Sequence, residues 1–340
     1  MSYAELHCKT NFSFLTGASH ADELVDRAVE LGYGALAVTD ENTLAGVVRA
    51  FGAARHTELK LIIGAEIILN DAPPMLLWAT NRKSYGRLSQ LITVGRRRAP
   101  KGQCWLSLDD VFALEKGLLA GVLPSFAGDR NRAEFILADP THASHDWFAQ
   151  ASAHDNEVEK MNRIRETFGD RAYLMAALYK GIDDDWRLQQ IQSLVKKTGL
   201  PPVASGDVLY HAPSRMLLHD ALTAVKYKTT IADAADRLLP NAQRHLHTVS
   251  HRRQSFELLP GAFERTMEVA DRCRFCMSAL RYEYPEGLSP EGETETSYLR
   301  RLTESGIKTH YPRGTPEKVR HQVEHELELI EELNLSLIHI

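Results

Sequence analysis

The chain has few cysteines, no long apolar run and no excess of basic residues. Four cysteines in 340 residues are too few for a disulfide framework, so we expect free thiols in a reducing compartment. No window of about 18 uncharged apolar residues occurs, and no basic stretch leads into an apolar run at the start of the sequence. These absences predict a cytoplasmic protein that has no membrane partner.

The charge balance excludes a protein that is basic over its whole surface. The sequence holds 40 Lys and Arg against 45 Asp and Glu, which gives a net charge of −5. Any contact with nucleic acid must therefore be local. A content of 44% hydrophobic and 25% charged residues is typical of a folded globular protein, and the length suits one large domain plus part of a second.

Apolar, strand-like segments alternate with amphipathic, helix-like segments from the N-terminus. This alternation predicts βα units and a parallel sheet of the α/β class. Acidic residues follow three of the strand-like segments at Asp40, Glu66 and Asp207. Barrels and open α/β sheets place their functional sites at these carboxyl ends of strands.

A polar stretch rich in Pro and Gly at 281–293 marks a predicted domain boundary. We place one domain at 1–284 and the start of a second, helical region at 285–340. Thr315, Pro316 and Glu317 predict the start of a helix in that region. The apolar tail at 335–340 has no polar finish, so we expect the sequence to be interrupted there.

The first strand is followed by a motif with one histidine missing. His7-Cys8-Lys9 and the turn up to Ala18 resemble the first motif of the polymerase and histidinol phosphatase (PHP) superfamily, His-x-His followed by an Asp-Gly turn. Lys9 stands at the second histidine, and Thr16 stands at the aspartate. A lysine at this position would repel or replace a metal ion.

Three further strings resemble the later motifs of the same superfamily. Asp40-Glu41 matches Asp-His, Glu66 matches a glutamate that can bridge metals, and Asp207-Val208-Leu209 matches Asp-x-His. Glu41 and Leu209 therefore replace two more histidines. The resemblance leaves a residual ligand set, which is His7, Asp40, Glu66, Asp207 and His211.

The four departures at Lys9, Thr16, Glu41 and Leu209 argue against a working centre with bound Zn²⁺ or Mn²⁺. Two of the remaining ligands also have a structural alternative, since His7 could be a structural strand-end histidine and Glu66 a strand-end glutamate bonded to a backbone amide. His211 lies two residues beyond the expected histidine, so its place in the site stays open.

Longer strings narrow the resemblance to the N-terminal region of bacterial C-family DNA polymerases, in particular their error-prone branch, which is related to the polymerase III alpha subunit. The resemblance covers residues 1 to about 334, and its strings lie at 3–8, 11–15, 39–50, 206–211, 274–287 and 314–320. It implies a distorted (β/α)7 TIM-like barrel of the PHP type, followed by the start of the polymerase palm or thumb region. The polymerase carboxylates of the family lie in the palm, beyond position 340.

For a full-length protein, the resemblance implies a nucleotidyltransferase that acts in replication, damage-induced mutagenesis and translesion synthesis. It implies Mg²⁺ as the cofactor, with primer-template DNA and deoxynucleotides as substrates. Contacts with a sliding clamp and with translesion accessory proteins are implied by family alone. This fragment would then supply a scaffold without polymerase chemistry.

Two other functions remain open at this point. The barrel could keep a residual metal-dependent phosphoesterase or 3′–5′ exonuclease activity, against which Lys9 and Leu209 argue. It could instead be a non-catalytic module that binds a partner protein. Replacing Lys9 and Leu209 with histidine distinguishes them, because only a hydrolase should gain activity.

Three other clusters have simpler structural interpretations. The basic run Arg96-Arg97-Arg98 with Lys101 is typical of a solvated loop. Cys273 and Cys276 have helical spacing and no second pair to complete a zinc site. The three histidines His245, His247 and His251 lie among arginines that would oppose a cation, so we expect structural or solvent-facing side chains.

Overall fold

A computed structural model describes residues 2–126, 153–280, 289–290 and 292–333, with side chains from residue 156 onward in the second range. Its contacts divide the chain into two units, Met1–Ala279 and Leu280–Ile340. The boundary that the sequence predicts after residue 284 falls outside the described residues. That boundary remains a prediction.

The first unit is built on one seven-stranded sheet whose spatial order follows the order of the chain. Its strands are β1 (Ala4–Glu5), β2 (Ala35–Val38), β3 (Lys60–Ile67), β4 (Met75–Ala79), β5 (Leu118–Val122), β6 (Ala172–Ala177) and β7 (Pro202–Ser205). Most of their residues are buried, and β2, β4, β5 and β7 are buried throughout. Strands that are covered on both faces have continuous apolar sequences, and these strands do.

The sheet closes on itself between its first and last strands. Just beyond β1 and β7, Cys8 and Val208 form a parallel bridge. Two backbone hydrogen bonds of 2.9 Å complete it, from Lys9 N to Val208 O and from Val208 N to His7 O. The predicted seven-stranded, TIM-like barrel is thereby confirmed.

The predicted parallel sheet contains one antiparallel strand. β4 pairs antiparallel with both β3 and β5, whereas the other described pairs are parallel. Only residues 68–74 connect β3 to β4. A parallel crossover needs a dozen or more residues, so this short connection returns the chain in the opposite direction.

Helices cover the outside of the barrel. They are α1 (Ala21–Glu30), α2 (Gly46–Ala54), α3 (Arg82–Arg98), α4 (Leu108–Ala113), α5 (Ala153–Phe168), α6 (Asp184–Thr198), α7 (Met216–Lys226), α8 (Val249–Ser255) and α9 (Glu264–Arg272). Alternate residues of a strand separate the two sides, since Ala35 and Ala37 pack inside the barrel while Leu36 and Val38 pack towards the helices.

The interior of the barrel is filled by side chains. Trp78 is fully buried there, and its indole N–H donates to the carbonyl of Leu6 at 3.0 Å. Gly121 leaves room for this ring, because a Cβ at that position would lie 2.5 Å from Trp78 and 2.6 Å from Met175. The core therefore occupies the middle of the barrel and leaves the carboxyl ends of the strands for polar groups.

The second unit contains two helices in its described residues, α10 (Glu295–His310) and α11 (Glu317–Glu332). The predicted start of a helix near Thr315 lies within two residues of the observed start. No helix in the described parts of the chain combines the length and the apolar character that crossing a membrane requires.

Candidate functional site

Three of the five predicted ligands meet at the carboxyl end of the barrel. His7 Nε2 lies 2.5 Å from Glu66 Oε2, and His7 Nδ1 lies 3.4 Å from Asp207 Oδ1. All three side chains are buried. Glu66 shares the inner face of β3 with Ile62, four residues earlier, which directs its carboxylate to the barrel axis.

Lys9 completes the Glu66 side of this cluster. Its ammonium lies 2.9 Å from Glu66 Oε2, and the whole residue is only 2% exposed. The bridge between the first and last strands fixes the backbone of Lys9 through Val208. The lysine that replaces a family histidine therefore supplies a fixed positive charge to the carboxylate that would otherwise face a metal.

Arg244 supplies the corresponding charge on the Asp207 side. Its Nη2 lies 2.5 Å from Asp207 Oδ1, and its Nε donates to the Asp207 carbonyl at 2.7 Å. Tyr179 donates its hydroxyl hydrogen to Asp207 Oδ2 at 2.8 Å. Burial lowers the pKa of Arg244, but the neighbouring Asp207 outweighs burial and leaves that pKa above its ordinary value.

The sequence indicated neither of these roles. In the sequence, Arg244 stands out only as a cation beside the histidines, and no motif includes Tyr179. Each lies more than 25 residues from Asp207 in the chain. Neither pairing follows a helix or strand period, so no local pattern points to it.

The residues present do not fit a metal ion. Each carboxylate of the cluster, Glu66 and Asp207, already has a cationic side chain in contact, and a divalent ion would have to displace Lys9 or Arg244. Among the described residues, there is no group of three or more His, Cys, Asp or Glu side chains that could hold a metal.

A small cavity adjoins the cluster inside the barrel. Its volume is about 20 Å³, and His7, Asp207, Tyr179, Arg187 and Met175 contribute to its lining. A space of this size holds roughly one water molecule. It is too small to receive a nucleotide.

Asp40 is buried but belongs to a different set of contacts. Its carboxylate accepts hydrogen bonds from Thr10 N at 2.8 Å, Thr10 Oγ1 at 2.9 Å and Ser13 Oγ at 2.6 Å. Burial raises the pKa of Asp40, and the bonds from Ser13 and Thr10 oppose that rise. Asp40 continues the outward alternation of Leu36 and Val38, which explains why it holds the 10–13 turn.

His211 also lies outside the cluster in its described contacts. Its Nδ1 is 2.8 Å from Ser19 Oγ, and its backbone N–H donates to the same oxygen at 3.0 Å. Burial lowers the pKa of His211, which Glu23, 4.0 Å away, opposes. His211 therefore lies at the contact between the loop after β7 and the residues that precede α1.

The remaining degenerate positions have structural surroundings. Leu209 packs in an apolar cluster with Ala18 and Tyr210, and its N–H donates to the Arg244 carbonyl at 2.9 Å. Thr16 is buried, and its N–H donates to Ser13 O. Glu41 is half-buried and bridges to Glu66 through the backbone.

A second buried network of hydrogen bonds holds the backbone next to the cluster. The Glu5 carboxylate accepts hydrogen bonds from the Tyr3 hydroxyl at 2.9 Å, from His7 N at 3.1 Å and from Gly206 N at 3.0 Å. Arg252 is also buried. Burial lowers its pKa, but Tyr3 and Glu5 are among the groups that raise the pKa above its ordinary value. Glu5 thus ties the strand that precedes His7 to the turn that presents Asp207.

The basic run is exposed as predicted, but it forms the last turn of α3 and not a loop. The helix predicted around the two cysteines is also wrong, because Cys273 caps the end of α9 and Cys276 lies beyond it. Arg96 donates to the carbonyls of Asn42 and Gly102, and Arg98 forms two contacts with Asp110. Cys273 is buried, and its pKa rises to about 12 because of burial. Cys276 is exposed and accepts a hydrogen bond from Ser278.

The three histidine rings lie against each other, with His247 stacked on His251 and tilted by 38° to His245. The ring of His247 lies 3.8 Å from that of His245 and 4.1 Å from that of His251, measured between centroids. Burial and neighbouring Arg252 lower the pKa of His247 to about 2. These rings are therefore neutral packing groups near neutral pH.

A family model and curated relatives both match this chain. The PHP domain family model matches residues 5–175. Curated relatives named error-prone DNA polymerase are 42% identical over 335 residues in Rhodopirellula baltica, and 45% identical over 343 residues in Aromatoleum aromaticum. These alignments cover 98% of this chain but only 28% and 30% of the relatives, so the chain spans less than a third of their length.

The likeness to solved structures is weaker. A lesion-specific endonuclease from Pyrococcus furiosus gives a TM-score of 0.38 at 11% identity, over 62% of this chain and 48% of that one. An amidohydrolase from Chromobacterium violaceum gives 0.39 at 14% identity, over 62% and 88%. The family model covers half of the chain and the described barrel agrees with it, so this chain belongs to the PHP domain family.

Proposed function

We propose that this chain is the N-terminal part of an error-prone DNA-directed DNA polymerase, in which the PHP barrel is a scaffold. The observation that carries the proposal is the pairing of Glu66 with Lys9 and of Asp207 with Arg244. A phosphoesterase needs metals to activate water and to neutralise developing charge. Here protein cations neutralise the same carboxylates, and they offer no bound water.

The names of the curated relatives support the polymerase assignment, and they span far more residues than this chain. In the proposed full-length protein, carboxylates beyond residue 340 would hold Mg²⁺, which would supply charge neutralisation for phosphoryl transfer to a primer 3′-hydroxyl. Primer-template DNA and deoxynucleotides are its substrates. Replication past damaged bases, in the cytoplasm and with a sliding clamp and accessory proteins, is the proposed setting.

Residues 285–340 are, in this proposal, the start of the polymerase palm or thumb region. The helices α10 and α11 are consistent with the helical character expected there. Primer extension tests the assignment. With Mg²⁺, the protein read from the locus beyond residue 340 should extend a primer, and the 340-residue chain should not; extension by the short chain would contradict it.

A residual phosphoesterase or exonuclease is the second candidate function. The convergence of His7, Glu66 and Asp207 favours it, since these are three of the family's ligand positions. A manganese-supplemented exonuclease assay on single-stranded DNA decides between the two. The scaffold proposal predicts no cleavage by the wild-type chain.

Two variants make that assay decisive. Cleavage that Glu66→Ala abolishes would overturn the scaffold proposal, because a contaminating nuclease would not respond to Glu66. Lys9→His removes the charge that opposes a metal and restores the family residue. Gain of cleavage in this variant would favour the phosphoesterase candidate, whereas a change in stability alone would support the scaffold.

A further inference from the structure

The second unit has opposite charges at the two ends of a helical hairpin. An ion pair of 2.7 Å between Arg300 Nη1 and Glu324 Oε2 joins α10 to α11. The connection turns at Gly314, which has a φ of +111° and donates its N–H to Tyr311 O at 3.0 Å. The end of α10, the turn and the start of α11 therefore lie together at one end of the hairpin.

We call residues 308–321 at that end the basic tip. They contain four Lys and Arg residues and one acidic residue, Glu317, together with two histidines. The four cations are Lys308, Arg313, Lys318 and Arg320, and all are exposed. Residues 322–333, further along α11, hold five glutamates and no Lys or Arg.

The cations of the basic tip have no ion pair within the described residues, unlike their neighbours on the same hairpin. Arg300 pairs with Glu324, and Arg301 pairs with Glu293 at 3.2 Å. Four unpaired cations around one turn repel each other, so a polyanion at this surface would lower their electrostatic energy.

The chemistry of the basic tip fits a phosphate backbone. Lysine and arginine bind phosphates at exposed sites, and the positive N-terminal end of α11 lies at the same tip. Tyr311 is 37% exposed between these cations, where its ring can stack on an unpaired base. The overall charge of −5 makes such a local surface the form of nucleic-acid contact that this chain allows.

We propose that the basic tip binds the phosphate backbone of DNA, which gives this chain a nucleic-acid contact outside the barrel. The choice of DNA rests on the proposed polymerase function. The binding itself needs neither a metal in the barrel nor polymerase activity, so its failure and the failure of that function are distinguishable.

Fluorescence anisotropy of labelled single-stranded and duplex DNA with the whole 340-residue chain tests the proposal, over a range of salt concentrations. The double variant Arg313→Gln, Lys318→Gln should weaken binding at least tenfold at low salt. It should reduce the slope of log affinity against log salt by about 2 for duplex DNA, since each lost phosphate contact removes about one unit.

The matched control is Lys196→Gln, Lys197→Gln, which removes the same charge from an exposed turn at the end of α6. Equal losses in the two double variants would overturn the proposal, because the effect would then reflect net charge alone. Equal competition by polyglutamate, charge for charge, would also overturn it by identifying a general polyanion surface. Circular dichroism of each variant verifies that the helices are intact.

Discussion

At the scale of single residues, each carboxylate of the cluster is in contact with a buried cation. Lys9 and Arg244 each contact one carboxylate of the cluster and are themselves almost completely buried. A buried pair adds little net stability compared with apolar side chains, but removal of one partner leaves the other charge without compensation. The stability of the barrel should therefore depend on these cations.

The substitution Lys9→Met tests this dependence. It keeps an unbranched side chain, one atom shorter, and removes the ammonium beside Glu66, so the free energy of unfolding should fall by about 3–5 kcal/mol. Urea denaturation measures the change. The exposed Lys197→Met on α6 is the control and should alter stability by less than about 0.5 kcal/mol. A loss for Lys9→Met as small as that of the control would show that the ion pair contributes nothing.

His247 predicts an acid-sensitive stability. Its pKa is about 2 in the folded chain, because of burial and Arg252, against an ordinary value of 6.5. A histidine whose folded pKa is lowered favours folding above pH 6.5, and that contribution is lost as the pH falls towards the folded pKa. Below pH 6.5, the loss approaches about 1.4 kcal/mol per pH unit.

The variant His247→Gln isolates this effect. Glutamine keeps a donor for the Gln243 carbonyl, which His247 Nε2 contacts at 3.0 Å, and it does not titrate. Denaturation at pH 7.5 and pH 5 should show a smaller acid-induced loss in the variant than in the wild-type chain. Identical losses in both proteins would mean that His247 is not responsible for the pH dependence.

At the scale of elements, the closure of the barrel rests on the contact between its first and last strands. The turn after β7 presents Asp207 with a φ of +45°, a conformation that L residues rarely adopt. Gly206 precedes it and donates its N–H to Glu5. The chain can pass this point only if the position before Asp207 has no side chain.

Gly206→Ala should therefore destabilise the barrel. A Cβ at this position would lie 2.4 Å from both Arg252 Nη2 and Glu5 Oε2, two buried groups of the supporting network. Overpacking of this kind costs about 1–3 kcal/mol. Gly52→Ala on α2 is the control, since no atom lies within 4 Å of its added Cβ and alanine favours helix. Thermal unfolding should separate the two, and equal melting temperatures would refute the crowding at Gly206.

Much of the arrangement of elements is predictable from the sequence, because apolar periodicity and strand-end carboxylates are local signals. The antiparallel direction of β4 can be predicted only from the short connection at 68–74. The general alternation of strands and helices predicts a parallel strand there instead. The outward position of Asp40 was also encoded, since it shares the parity of Leu36 and Val38. The partners of Asp207 cannot be predicted in this way, because Tyr179 and Arg244 come from distant segments of the chain that no local periodicity relates to it.

At the scale of the whole molecule, the chain combines two units of different character. The first is a closed barrel with an internally neutralised polar end, and the second is a pair of helices with a basic tip. The curated relatives are more than three times as long as this chain. The proposed scaffold role assigns the polymerase chemistry to the remaining length of such a protein.

The metal content of the purified chain tests the central claim most directly. Elemental mass spectrometry after dialysis against Mn²⁺ and Zn²⁺, with the Lys9→His variant measured in parallel, gives the number of ions per chain. We predict far less than one ion per wild-type chain, because Lys9 and Arg244 already compensate Glu66 and Asp207. One or more ions per wild-type chain, lost on Glu66→Ala, would contradict the account and make the barrel a metal centre.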